Sequence, residues 1–331
     1  MHIPDGLLSA PVSIACAALA FPAVGTAAAR ARSGTGAREA ALLGVTAAFV
    51  FAAQMINFPV AGGTSGHLVG GVLAAVLLGP SAAVIVMTAV LALQCLVFGD
   101  GGLLALGANV LNMAVVNPLV GYAIYRVMAG SAARGPSSYA RRLAGAAFAA
   151  WTATVASAAT CAGELVLSRV GAPSVVLPAM VGVHAAIGAG EALITAVVLA
   201  TVMRLRPDIA DRARSSLGRD RPGGIAVLGL VAAAALGLFV SPFACAWPDG
   251  LERVVERLGV EPSRAILSAP APLRGYAIPG LHAGVPSTSL AALAGTLLVF
   301  ACCVAVGVWL APRRAAGRAT GGPDIAPPSR S

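Results

Sequence analysis

A chain that begins Met1-His2-Ile3-Pro4-Asp5-Gly6 carries a chelator at its free end. The terminal amine, the backbone amide nitrogen of His2 and the Nδ1 of its imidazole close two fused rings around one ion, filling three corners of a square. Tetragonal nitrogen sites of this kind suit Ni(II) or Cu(II) better than Zn(II) or Mg(II). Displacing an amide proton takes a strongly polarising metal, and binding must release protons. One corner stays open, and the candidate for it is His67, in the uncharged run Asn57-Phe58-Pro59-Val60-Ala61-Gly62-Gly63-Thr64-Ser65-Gly66-His67. The plain alternative is that His2 is the second residue of a frayed terminus. Which reading holds depends on the elements that would position the two histidines.

Those elements are membrane helices. Of 331 residues, 58% are hydrophobic and only 11% charged, with a mean hydropathy of +0.87. A soluble domain carries about a quarter charged residues, so the composition is that of an all-α, polytopic membrane protein. All 22 basic residues are arginine, a usage that fits a GC-rich bacterial genome and gives the choice of Arg over Lys little functional weight. The net charge of +9 does not point to nucleic acid, because its distribution follows membrane topology. Cys16, Cys95, Cys161, Cys245, Cys302 and Cys303 lack metal-ligand spacing and read as small buried hydrophobes.

About nine apolar runs are near the ~20 residues that cross a bilayer as helix. They cover about 7–29, 39–58, a short run to 79, 80–98, 103–128, 143–167, 174–203, 223–244 and a last one ending near 310. The first run lacks a basic leader, and Asp5 stands where positive charge would be, so the N-terminus is expected to be retained. Alternating the connections puts 17 of the 22 arginines on one side. By the positive-inside rule this side is the cytoplasm, so the C-terminus is inside and the N-terminus and the His67 loop are both outside.

Polar groups at membrane depth need partners. Asn109, Asn112 and Asn117 are therefore expected to face other helices. His184 and Glu191, seven residues apart on one helix face, are read first as an internal hydrogen-bonded pair, with a role beside the ion or in its release as the alternative. Glu164 is placed near the outer end of its span. Asp5 either caps the first helix or braces the terminus, and Asn57, Thr64 and Ser65 either orient His67 or are ordinary loop residues. His282 is read as a solvated loop histidine or a relay for the ion. A metal channel, or a secondary transporter coupling through Glu164 and Glu191, remains as an alternative. So does an intramembrane enzyme, for which the chain lacks a His-Glu-x2-His pair.

The terminal Met-His-Ile-Pro-Asp-Gly, the Gly-Gly-Thr-Ser-Gly-His at 62–67 and the pattern His184-x2-Ile187-Gly188-x2-Glu191-x2-Ile194-Thr195 resemble the CbiM/NikM family. These are the substrate-capture components of energy-coupling-factor transporters for cobalt and nickel. The likeness covers about 1–210. Pro248-Asp249-Gly250-Leu251-Glu252 spells the signature of the PDGLE domain of CbiN/NikN-type components, and Tyr276 with Pro279-Gly280 precedes the last span as in that family. The resemblance implies a metal-binding domain at 1–210, a cytoplasmic linker at 211–222, a PDGLE domain at 223–311 and a disordered tail at 312–331. It implies Co(II) or Ni(II) as transported substrate held by Met1, His2 and His67, and no cofactor. It implies a bacterial plasma membrane location, a transmembrane coupling component and ATPase subunits as partners, and possible service to cobalamin synthesis. A chain without lysine has no phosphate-binding Gly-x4-Gly-Lys loop, so ATP hydrolysis would fall to a partner. The resemblance casts residues 245–286 as an accessory for loading the ion, and the loop offers no ligand set to hold it, since Asp249, Glu252, Glu256 and Glu261 are offset by four arginines.

Overall fold

The computed structural model describes residues 1–32, 36–130, 136–205, 222–260, 271–281 and 284–311. His282 and the tail from 312 lie outside them. The chain is mostly helical: α1 (Ala10–Ala31), α2 (Ala37–Gln54), α3 (Gly71–Leu78), α4 (Pro80–Leu93), α5 (Leu106–Asn109), α6 (Asn117–Ala129), α7 (Pro136–Leu167), α8 (Pro173–Leu205), α9 (Pro222–Ala235), α10 (Gly250–Leu258) and α11 (Val285–Leu310). Pro80 and Pro173 open their helices, where a missing N–H costs nothing.

Among the described residues, seven helical stretches are long and apolar enough to cross a bilayer, against about nine expected. Of the two others, α2 has 18 residues, a rise of about 27 Å that comes close to the bilayer core, with Arg38 and Glu39 near its start. α3 has eight residues, a rise of about 12 Å against an apolar bilayer core of about 30 Å. The chain before α3 is spent on a small antiparallel hairpin, β1 (Phe58–Val60) and β2 (Thr64–Gly66), in which Val60 pairs with Thr64. Its turn uses Gly62 and Gly63 at φ of 77° and 72°, a conformation that side chains resist. His67 follows directly.

Small residues let the helices approach: Ala146, Ala149, Ala150 and Ala153 are fully buried along α7, which packs on α6 and α8. Large apolar side chains such as Ile14, Leu19, Phe21, Leu193 and Trp309 point outward, as a lipid-facing surface requires. Two stretches widen into π-type turns, Gln94–Phe98 after α4 and Val110–Val116 between α5 and α6. Such turns collect at functional sites, and these two carry Gln94 and Asn112. From the C-terminal part, α9 and α11 pack against α2, and α10 packs against α8 and the hairpin.

The first residues are wound into the bundle. Met1, Ile3 and Leu7 are buried. Asn109 takes Ile3 as a strand neighbour would, accepting its N–H at 2.8 Å and donating to its carbonyl at 3.1 Å. Gly102 adds a second N–H to the Ile3 carbonyl. Asp5 accepts from the N–H groups of Leu103, Leu104 and Ala105. It thus caps the entry to α5, not the first helix, for which Ser9 is the N-cap residue.

Candidate metal centre

The Met1 nitrogen lies 3.0 Å from the Nε2 of His67, although 66 residues separate them. The other His67 nitrogen, Nδ1, donates to the Leu68 carbonyl at 2.9 Å, so the proton is on Nδ1 and the Nε2 lone pair faces the amine. Burial, then the Met1 ammonium and His2, push the His67 ring down to about 3, so it is neutral at physiological pH. The Met1 amine also donates to the Asp249 Oδ2 at 2.5 Å. Burial alone would raise the Asp249 carboxyl, but the ammonium beside it holds it well below the usual carboxylate range.

His2 stacks on His67 with ring centroids 5.4 Å apart. Its Nε2 lies 3.0 Å from the Gln94 Oε1, and its Nδ1 faces the Asp100 Oδ1 at 3.4 Å. The direction of the first bond follows from a chain of amides. The Val69 carbonyl can only accept, and it takes a proton from the Gln54 Nε2 at 2.7 Å; the Gln54 Oε1 then accepts from the Gln94 Nε2 at 2.8 Å. Gln94 is left with its oxygen toward His2, so the His2 Nε2 carries a proton and Nδ1 is the nitrogen free for another partner. Asp100 in turn accepts at Oδ2 from the Tyr276 hydroxyl. Burial first, then Asp100, keep that phenol protonated, well above its ordinary value.

Of the other residues singled out in the sequence, Asn57 gives its carbonyl to the Cys245 N–H at 2.8 Å, and Thr64 and Ser65 are buried in β2. The Ser65 N–H donates to the Pro248 carbonyl and its hydroxyl to that of Trp247. The expected His184–Glu191 pair is not formed. His184 Nδ1 donates to the Met180 carbonyl one turn back, at 2.8 Å. Glu191 accepts from the N–H groups of Val69 and Gly70, at 2.6 and 2.9 Å, and so holds the loop just after His67. Glu164 does not reach an interface; it is buried, accepting from Asn112 at 2.8 Å and from the Cys16 thiol.

Glu191→Gln tests the loop brace. The amide would turn an NH2 toward one of two buried N–H donors, leaving one unpaired, which costs about 1–3 kcal/mol. Thermal unfolding of the purified variant is expected to come at a lower temperature. An unchanged melting temperature would mean that the loop holds itself.

Sequence reasoning missed Asp249, Gln54, Gln94 and Asp100. Each element of the PDGLE signature has a physical task here. The Pro248 carbonyl binds the hairpin, Asp249 caps α10 and meets Met1, Leu251 is buried, and Glu252 accepts from the Asp249 N–H to close a capping box. Gly250 lies against His184: a Cβ added there would stand 2.8 Å from the imidazole Cε1.

A family model described as the cobalt uptake substrate-specific transmembrane region, CbiM, matches residues 2–209, and the PDGLE domain matches residues 223–312. A protein of Archaeoglobus fulgidus named as a fused nickel transport protein, NikMN, is 38% identical over 311 residues, covering 91% of this chain and 96% of its own. A protein named cobalt transport protein CbiM, from Kyrpidia tusciae, is 38% identical over 129 residues, 38% of this chain and 52% of its own. A crystal structure titled as a transition metal transporter superposes with a TM-score of 0.56 at 33% identity, over 66% of this chain and all of that one.

Proposed function

Because the chain belongs to the CbiM family of cobalt uptake transmembrane proteins and carries a PDGLE domain behind that region, we propose that it is the ion-capturing subunit of an energy-coupling-factor importer. It is a multi-pass membrane component of cobalt or nickel transport and not an enzyme. In the proposed site the ion is bound by the Met1 amine, the His2 amide and Nδ1, and the His67 Nε2. The observation that carries this reading is the 3.0 Å between the Met1 nitrogen and the His67 Nε2. Metal–nitrogen bonds of about 2.0–2.1 Å set neighbouring corners of a square about 2.9 Å apart. The ion would replace the one proton these two nitrogens share, and the amide chain through Gln54 and Gln94 leaves the His2 Nδ1 as the chelating nitrogen.

Asp5, Thr64 and Ser65 act behind the ligands by holding the backbone that presents them, as outer partners of metal ligands do. His184 and Glu191 support the loops and do not bind the ion. The N-terminus and His67 lie on the outer face of the plasma membrane and the C-terminus in the cytoplasm. A transmembrane coupling protein and ATPase subunits power the import, since the chain has no lysine for a phosphate-binding loop. The cargo is nickel before cobalt. A square of four nitrogens with a deprotonated amide suits d8 Ni(II), and a relative matched over 91% of the chain is named for nickel, whereas relatives named for cobalt match 129 or 138 residues. If cobalt is carried instead, cobalamin synthesis is the natural consumer.

Metal analysis of cells expressing the complete transporter, grown with trace Co(II) and Ni(II), tests the function. The expected outcome is Ni(II) accumulation above that of cells carrying His2→Ala. Accumulation of Co(II) alone would overturn the choice of ion, and of neither metal, the function itself.

A further inference from the structure

The PDGLE domain was expected to assist loading without touching the ion's ligands, yet its Asp249 meets the chelating terminus directly. Asp249 divides its carboxylate. Oδ1 accepts from the N–H groups of Leu251 and Glu252, at 2.8 and 2.9 Å, which starts α10, while Oδ2 accepts from the Met1 amine. The loop that carries Asp249 is fastened to the hairpin that carries His67, through the Pro248 and Trp247 carbonyls and Ser65.

A terminal ammonium has three N–H bonds. One points at the His67 Nε2 and one at Asp249. When an ion takes the place of the proton toward His67, the coordinated amine keeps two N–H bonds, so Asp249 retains its hydrogen bond and the amine lone pair stays aimed at the square. Free of Asp249, the amine could turn about the Met1 N–Cα bond and lose that aim.

Resting on the four-nitrogen reading of the site, we infer that the PDGLE domain supplies a positioning residue to it, Asp249, which aims the Met1 amine. Capture of the ion therefore requires this domain to be docked, and its signature aspartate belongs to the capture machinery.

The test is Ni(II) binding to the full-length chain by calorimetry and visible absorption. Asp249→Asn keeps the helix cap, because Asn is as good an N-cap as Asp. It is expected to weaken Ni(II) binding about 10–100-fold, the usual effect of removing an outer partner of a metal ligand. At saturating Ni(II) the visible band should also shift as the amine leaves its place in the square, which a loss of stability alone would not cause. Glu256→Gln, at an exposed position on the same helix, should leave both readouts unchanged. If Asp249→Asn binds Ni(II) with the parent's affinity and spectrum while His67→Ala does not, the positioning role is overturned and the four-nitrogen centre stands.

Discussion

Replacing His67 by alanine is expected to weaken Ni(II) binding by more than about a hundredfold, beyond the range seen when only an outer partner of a ligand is lost. The variant loses a donor that is always ready, since the His67 ring, pushed down to about 3, has no proton on Nε2 to give up. It also leaves the buried Met1 ammonium without the acceptor it has at 3.0 Å. An unmade bond of that sort costs about 1–3 kcal/mol, so part of the effect would come from the fold. His67→Gln separates the two contributions: its side-chain oxygen can accept from the ammonium, but it offers oxygen in place of nitrogen to the ion. Its melting temperature should stay close to the parent's while its affinity falls and the visible band of bound Ni(II) moves. An affinity equal to the parent's in His67→Ala, read by calorimetry, would remove His67 from the site and direct the search to His184.

The residues of that centre differ in how far their role could be read from the chain. Met1, His2 and His67 announce themselves, because a terminal amine followed by histidine has few chemical uses and the glycine run before His67 has the look of a shaped loop. The apolar runs fix where helices lie, yet they do not distinguish a crossing helix from the eight residues of α3, since length is read from hydropathy and the hairpin before it is apolar enough to pass as span. Glu191 was paired with the wrong partner for a simple reason. Seven residues do bring it to the face of His184, but a helical histidine already has a carbonyl four residues back, at Met180, and Glu191 is then drawn to the two N–H groups of Val69 and Gly70 that no secondary structure satisfies.

Gln54 and Gln94 carried a usable signal that went unread. Both are amides inside apolar helices, as conspicuous as Asn109 and Asn112, and buried amides demand partners. Asp249 carried none. Its local pattern, Asp-Gly-Leu-Glu before an amphipathic turn, is fully accounted for by a capping box. Its second role, with Met1, depends on a contact across 248 residues that no local rule anticipates.

An uncleaved extension ahead of Met1 should abolish capture altogether, the largest effect expected of any change to this chain. Joining a residue to Met1 turns its amine into an amide, which has no basic lone pair for the ion and one N–H where the ammonium has three. The same nitrogen could no longer serve both His67 and Asp249. There is also no room for it: Met1 is 4% exposed and Ile3 fully buried, and the Ile3 backbone is held on both sides by Asn109 and Gly102. The added residue would have to push the Asp249 loop away or draw the terminus out of the bundle. Cells carrying the extended chain within the complete transporter should accumulate no more metal than those with His2→Ala, whereas the same extension placed after Ser331 should leave uptake intact. Intact-mass measurement of the active protein should correspondingly find Met1 present and bearing neither a formyl nor an acetyl group. Full uptake by a chain shown by mass to keep its extension would mean that the ion is not held by the terminal amine, and the square would have to be built from other donors.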